Sequence, residues 1–154
     1  MGGLEVSVLA GALALGLVAG VFLTFSDFVM TALQRTEGDG GWQAMQAINR
    51  QVYRSVFMVL LLGLVPAGFA VALLAGGTGG APWFLGGAII YAIGTMGVTM
   101  FGNVPMNKRL DGLTGTEAAA YWRVYVVRWT RLNHVRTLAS AFAALAFIIG
   151  WRMI

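Results

Sequence analysis

The sequence predicts an all-α integral membrane protein, a four-helix bundle whose second and fourth helices extend beyond the membrane on the cytoplasmic side. One observation behind this prediction is composition: 58% of the 154 residues are hydrophobic and 10% are charged, and the mean hydropathy is +0.78. Soluble domains carry about 25% charged residues. The other observation is that uncharged stretches comparable to the roughly 20 residues that cross a bilayer recur along the chain. Because no repeat or long linker separates these stretches, we expect one domain over residues 1–154.

The four uncharged stretches give the spans in order. Residues 6–26 predict a first span at about 5–27, and residues 55–74 predict a second at about 54–75. After a Gly/Pro turn, the third span is predicted at about 82–104, before Pro105, which we expect to end or kink its helix. The last uncharged stretch, 137–151, is shorter than a membrane crossing requires. Its helix must therefore begin earlier, and we predict a span at about 133–152 that carries His134 and Arg136 in or beside the membrane.

Two further stretches look helical and flank the second and fourth spans. In residues 41–54, Trp42, Met45, Asn49 and Val52 recur at spacings of three and four, which indicates a helix with one buried face. Residues 114–129 begin with threonines suited to an N-cap, followed by an Ala-rich turn. We expect both stretches to continue spans two and four as unbroken helices.

Basic residues crowd one end of the predicted bundle. Alternation of the four spans places nine of the ten Lys and Arg residues on one side and Arg152 alone on the other. The positive-inside rule therefore predicts the cell (inner) membrane, with the crowded side in the cytoplasm and both termini outside. Basic residues gathered at one end of a membrane bundle indicate its orientation in the membrane and not a nucleic-acid site. We therefore expect the lipid bilayer as a partner and no nucleic acid.

The cysteine and histidine counts exclude several kinds of site. The chain has no cysteine, which excludes disulfides, thiolate catalysis and iron–sulfur clusters. A single histidine excludes a bis-His haem or a multi-His metal centre within one chain. We therefore predict no metal or cofactor. A copper site built from His134 and methionines such as Met30 and Met45 is the less favoured alternative, since methionine stripes are more often pliable packing.

Short polar side chains mark the same cytoplasmic end. The predicted polar layer receives residues from every span, namely Asp27, Asn49, Asn103, Asn107, Asn133, His134 and Arg136. Polar groups at membrane depth usually face a bundle interior or a cavity, which favours a pocket. Hydrogen bonding that ties the helices together is the alternative. Gly16 and Gly20 have the spacing that lets membrane helices approach closely, either within the bundle or in a homo-oligomer.

Four segments of the chain carry a resemblance to a known family. They are "FSDFVMTAL" (25–33), "AMQAIN" (44–49), "NVPMNKRLD" (103–111) and "WTRLNHVRTLAS" (129–140). In this order they resemble the anthrone oxygenase-like family, small four-helix membrane proteins long catalogued as a domain of unknown function. Members often have a second Trp before the Asn-His pair, where this chain has Leu132. Some fungal members oxidise anthrones to anthraquinones, so the resemblance implies oxidation of a lipophilic aromatic with dioxygen as co-substrate and no cofactor.

The resemblance also implies roles for residues of the polar layer. Histidine is a common general base near neutral pH, so His134 is expected to take the methylene proton, with Asp27 or a neighbouring Asn fixing its tautomer. Arg136 is expected to stabilise the enolate oxygen with an amide of Asn103, Asn107 or Asn133. The substrate-binding set is Asn49, Asn103, Asn107, Asn133, Trp129, Met30 and Met45. Aromatic rings expected to line the slot are those of Trp122, Tyr125, Trp129 and Phe25.

Two other functions stay open at this point. In a non-catalytic lipid- or quinone-binding protein, or an accessory membrane subunit, His134 and Arg136 would bind a headgroup or a carbonyl. In a minimal transporter, Asp27 would couple to protons. The transporter is less favoured, because the four spans show no obvious pair of broken helices.

Overall fold

The computed structural model describes residues 2–154 and is helical along nearly its whole length. Its helices are α1 (Gly3–Gln34), α2 (Gly40–Gln51), α3 (Val56–Leu74), α4 (Ala81–Asp111) and α5 (Gly115–Trp151). All but the short α2 are long and apolar enough to cross a membrane, and residues 2–154 contain no strand. The predicted helical membrane bundle is confirmed. Helices α1, α4 and α5 extend further at the basic end than the predicted spans do.

Two apolar clusters, one above the other, hold the bundle together. The first lies between α1, α3, α4 and α5 and includes Val18, Leu64, Phe84 and Phe147. The second lies at the basic end, where α2 covers the ends of α1, α4 and α5, and its buried members are Met30, Trp42, Met45, Leu110, Ala118, Tyr125, Val126 and Trp129. The polar groups described below lie where these two clusters meet.

The helix predicted at 41–54 is present, but it is not continuous with the second span. Helix α2 ends at Gln51, a 3₁₀ turn covers Val52–Arg54, and Ser55 is extended with φ −102° and ψ 156°. The Ser55 hydroxyl accepts a hydrogen bond from the Met58 amide at 3.3 Å, so Ser55 caps the start of α3. Serine is a favoured N-cap because its oxygen satisfies a free amide of the first helical turn. This cap lets the chain change direction and fold α2 across the bundle.

Pro105 does not end the third span. Helix α4 passes through two π-helical segments, Tyr91–Gly97 and Thr99–Asn103, and continues past Pro105 to Asp111. Proline lacks an amide hydrogen and its ring crowds the preceding turn. A wider π-helical turn directly before Pro105 accommodates both, as such insertions commonly do within helices. Asn103 and Asn107 therefore stay on one helix.

Helix α5 begins after Thr114 and runs for 37 residues without interruption. At 1.5 Å per residue it is about 55 Å long, well beyond the roughly 30 Å of a hydrocarbon core. The predicted continuation of span four as one helix is confirmed, and His134 and Arg136 both lie on it. Gly16 and Gly20 face outward from α1, and a Cβ added at either would meet nothing within 4 Å. Close packing within the bundle is not their role, and a contact between protomers stays a prediction.

Candidate functional site

A buried stripe on α5 forms one wall of the candidate site. Tyr125, Trp129, Asn133 and Arg136 recur at spacings of three and four, so they share one face of the helix. All four are buried, and their partners come from α1, α2 and α4.

Arg136 is a buried guanidinium that has no acidic partner. Its side chain is 5% exposed, and no carboxylate within residues 2–154 forms an ion pair with it. Its Cζ atom lies 4.3 Å from the ring centroid of Phe22 and 4.9 Å from that of Trp129, so two aromatic faces contact the cation. Two of its nitrogens donate, Nη2 to Asn133 Oδ1 at 2.6 Å and Nη1 to Thr99 Oγ1 at 3.5 Å. The Nε–H has no acceptor.

Asn133 holds Arg136 in place. Its Nδ2 donates to the Phe22 carbonyl at 2.6 Å and to Ser26 Oγ at 2.7 Å. Ser26 lies in the π-helical turn Phe25–Val29 of α1, and Phe22 lies three residues before that turn begins. With its amide nitrogen turned to α1, the side chain presents Oδ1 to Arg136. Asn133 is therefore a positioning residue for the guanidinium.

A second polar group surrounds Asn107. Its Oδ1 accepts from Trp129 Nε1 at 2.9 Å and from the Tyr125 hydroxyl at 2.7 Å. The Tyr125 oxygen in turn accepts from Asn49 Nδ2 at 3.4 Å. The trio of Asn49, Asn107 and Tyr125 thus connects α2, α4 and α5 at the side of the Trp129 ring.

Asn103 lies between these two groups and is fully buried. Its Nδ2 donates to the Trp129 carbonyl at 3.3 Å, and its Oδ1 has no partner within the described chain. A buried acceptor without a donor costs free energy, about 1–3 kcal/mol in proteins. Asn103 therefore retains one unused acceptor beside the polar groups, although it does not line the cavity described next.

A cavity of about 360 Å³ opens between α1, α2, α3, α4 and α5 at this level. Its volume lies in the range of small-molecule pockets, about 300–1,000 Å³. Its walls are mainly apolar, with Phe25, Met45, Phe57 and Leu61 among them, and the break between α2 and α3 lies along its edge. The polar side chains that line it are those of Asn49, Gln51, Ser55, Thr99, Asn107, Trp129 and Arg136. The lining therefore combines apolar walls with a small number of hydrogen-bonding groups.

His134 and Asp27 are not part of this cluster. Both side chains are exposed, and neither lines the cavity. His134 follows Asn133 by one residue, which turns it about 100° away from the buried stripe. Asp27 lies in the middle of the π-helical turn, where Ser26 is the residue that faces α5. The structure therefore corrects the expected convergence of these two residues with the asparagines and Arg136.

The other expected members divide between the cavity and the core. Asn49, Asn107, Trp129, Met45 and Arg136 line the cavity, as does Phe25. Met30 is buried in the second apolar cluster and does not line the cavity. Asn103, Asn133, Trp122 and Tyr125 do not line the cavity either, so the structure corrects their expected places in the substrate-binding set and the aromatic slot.

Sequence reasoning missed Thr99, Ser26 and Phe22 as members of the site. A signal for Thr99 was present, because Thr95, Thr99, Asn103 and Asn107 recur every four residues along α4. In a helix with π-helical turns this spacing stays close to one face, since each such turn contains more residues than an α-turn. Phe22 takes part through its ring and its carbonyl, and nothing in the sequence pattern marks either contact.

The described residues offer no obvious metal ligands. No group of three or more His, Asp or Glu side chains within residues 2–154 could hold a metal ion. Dioxygen as co-substrate, a reaction without cofactor and the copper alternative all stay predictions.

Comparison with known proteins gives one match. The sequence model of a family described as Anthrone oxygenase matches residues 42–146, more than half of the chain. This range includes every polar residue that lines the cavity, whereas Phe22 and Ser26 precede it. A search of curated proteins and a search of solved structures found no match.

Proposed function

Because the chain belongs to the anthrone oxygenase family, we propose that it oxidises a lipophilic, anthrone-like aromatic with dioxygen in the cavity beside Arg136. One observation carries this proposal: a 5% exposed guanidinium without a carboxylate lines an apolar cavity of about 360 Å³. A buried cation without an anion is costly. An anionic ligand oxygen at this position would supply the missing partner.

The chemistry of anthrones needs such a group. Loss of a methylene proton gives an anion whose charge is delocalised onto the carbonyl oxygen. That oxygen would accept hydrogen bonds from Arg136, with Phe25 and Trp129 against the flat rings. Charged donors fixed in advance at a developing oxyanion contribute more to catalysis than most other devices. Arg136 is therefore the residue to which we assign stabilisation of the enolate.

The reaction balances with dioxygen as the only oxidant. The carbanion carbon transfers electrons to O₂ and forms a C–O bond, giving a peroxide that takes up one proton. The carbon then loses its remaining hydrogen as a proton while the O–O bond breaks and hydroxide leaves. The substrate loses two hydrogens and gains one oxygen, O₂ is reduced, and one molecule of water forms with the quinone.

The first proton needs no base within the cavity. Among the residues that line it there is no carboxylate and no imidazole. The enol tautomer of an anthrone is a phenol-like acid that can lose its proton to water before it binds. We therefore propose that the protein selects the anion through Arg136, and that His134 is not the base.

Arg136→Gln tests the function directly. Purified protein is mixed with emodin anthrone in air and under nitrogen, and quinone absorbance is followed. We expect wild type to form quinone in air faster than the spontaneous reaction, and Arg136→Gln to lose about a hundredfold in kcat. Arg123→Gln is the matched control, because Arg123 is exposed on the same helix and should keep its activity. Wild-type quinone formation no faster than in buffer would exclude the proposed reaction.

The same lining also suits a protein that binds a quinone without reacting. A neutral quinone carbonyl could accept from Arg136, and the lack of an acid or base on the wall favours binding alone. Saturable quinone binding without any oxygen-dependent turnover would support this second function. A loss of quinone binding in Arg136→Gln would then still locate the ligand at Arg136.

A further inference from the structure

Hydrogen-bond directions around Asn107 are fixed by its neighbours. An indole nitrogen can only donate, so the atom that Trp129 Nε1 contacts at 2.9 Å must be the amide oxygen of Asn107. The same oxygen takes the proton of the Tyr125 hydroxyl at 2.7 Å. The Nδ2 group of Asn107 is therefore left with two hydrogens and no acceptor within residues 2–154.

The orientation of the Asn49 amide follows from its contact with the Tyr125 hydroxyl. Since the Tyr125 hydroxyl gives its hydrogen to Asn107, its oxygen can only accept from Asn49. Asn49 must therefore direct Nδ2 at Tyr125, which leaves its Oδ1 as an acceptor without a donor. Asn49 is 6% exposed, and both asparagines line the cavity that Arg136 lines.

A free acceptor and a free donor, on two cavity-lining side chains that both contact the Tyr125 hydroxyl, complement a hydroxyl group. A hydroxyl donates one hydrogen bond and accepts others, whereas a carbonyl or an ether cannot satisfy Asn49 Oδ1. We infer that Asn49 and Asn107 are specificity-determining residues that bind a phenolic hydroxyl on the substrate.

The Trp129 ring relates this hydroxyl site to Arg136. The guanidinium lies 4.9 Å from the ring centroid, and the indole Nε1 contacts Asn107 at the ring's edge. A fused tricyclic molecule lying against the same ring, with its oxyanion at Arg136, would extend an outer ring towards Asn107 and Asn49. The inference rests on the proposed function for the position of the oxyanion. It adds that the substrate carries a hydroxyl on an outer ring, away from the carbonyl.

Three related ligands test the hydroxyl site without requiring turnover. Chrysophanol, emodin and physcion have the same anthraquinone skeleton and differ at one outer-ring position, which bears hydrogen, hydroxyl or methoxyl. Binding of each to the purified full-length protein is measured by quenching of tryptophan fluorescence. We expect emodin to bind at least about tenfold more tightly than chrysophanol, since a polar pair left unsatisfied opposes binding of the analogue. Physcion should resemble chrysophanol or bind more weakly, because its ether cannot donate to Asn49.

Asn49→Leu should abolish the preference for emodin, and Gln43→Leu should preserve it. Gln43 is the matched control because it is an exposed amide on the same helix and does not line the cavity. Unchanged chrysophanol binding shows that Asn49→Leu is folded. If that variant does not fold, the relative affinities of the three ligands for the wild-type protein still test the inference. Equal binding of emodin and chrysophanol by wild type, or an emodin preference that survives Asn49→Leu, would overturn the inference. Failure of the proposed function is distinct, since it appears as a lack of anthrone turnover in air.

Discussion

Arg136 contacts several uncharged groups in place of one carboxylate. Two aromatic faces, an amide oxygen and a hydroxyl contact the guanidinium, and none of them carries a negative charge. A guanidinium has five N–H donors, of which two have acceptors here. The side chain is thus oriented by Asn133 and still able to bind an anion. A carboxylate partner would have neutralised it and removed that capacity.

His134→Ala tests whether His134 is the base, as the sequence predicts, or takes no part in the reaction, as its position in the structure indicates. Because His134 is exposed and lies outside the cavity, we expect quinone formation by this variant within about twofold of wild type. A substitution on an exposed surface also usually changes stability by no more than about 0.5 kcal/mol. The rate of oxygen-dependent quinone formation and the thermal unfolding midpoint measure both effects. A hundredfold loss of rate with an unchanged midpoint would reinstate His134 as the base.

The sequence predicts which residues share one face of a helix. It does not predict which way other side chains point, or which group donates in a hydrogen bond between helices. A period of three to four residues placed Trp129, Asn133 and Arg136 on one buried face, as the structure has them. The sequence also predicts His134 in the polar layer because it lies at the same depth of the bundle, but depth does not give direction, and one residue along a helix turns a side chain by about 100°. The free atoms of Asn49 and Asn107 depend on which groups donate around Tyr125, and no one-dimensional pattern contains that information.

The helices of the bundle deviate from regular α geometry where the site is built. The π-helical turn at Phe25–Val29 lies against Asn133, and that at Thr99–Asn103 brings Thr99 to Arg136. Such turns are frequent at functional sites, because they change the direction of side chains within a continuous helix. The break at Ser55 has a similar effect, since it lets α2 carry Asn49 across the end of the bundle. The sequence around Ser55 concealed this break, because a single serine before an apolar run does not interrupt the helical pattern.

Glycines on α1 and α4 provide a test of how closely the helices pack. A Cβ at Gly94 would lie 2.6 Å from the Cβ of Ala139 on α5, and neither atom can move without its backbone. At Gly20 the same addition would meet nothing within 4 Å. We expect Gly94→Ala to destabilise the fold by about 1–3 kcal/mol, as overpacking does, and Gly20→Ala to be neutral or slightly stabilising.

Denaturant titration of the two glycine variants in detergent measures these changes. Equal effects at both positions would contradict the close approach of α4 and α5. A large loss of stability in Gly20→Ala alone would instead indicate that the outer face of α1 packs against a second copy of the chain.

At the scale of the molecule, most of the basic residues and the candidate site lie at the same end. Arg50 contacts Asp111 at 2.6 Å, and Arg109 lies over the Tyr121 ring at 4.3 Å, so α2, α4 and α5 meet in a basic layer beside the cavity. Of the Lys and Arg residues, only Arg152 lies at the opposite end. If the proposed function is correct, an anionic aromatic would meet a positive field at this end before it meets Arg136, and such fields accelerate association of charged ligands.

The orientation of this basic end decides from which leaflet a substrate enters. Nine of the ten Lys and Arg residues lie there, and translocating them across a membrane is disfavoured, so we expect this end in the cytoplasm and both termini outside. In a bacterial host, alkaline phosphatase fused after Ile154 should be active, since it folds only outside the cytoplasm, and green fluorescent protein fused there should be dark. Fusions after Glu37, in the connection between α1 and α2, should show the reverse. If the two sites give the opposite pattern, the cavity opens towards the outer leaflet, and a substrate made in the cytoplasm would have to cross the membrane before reaching Arg136.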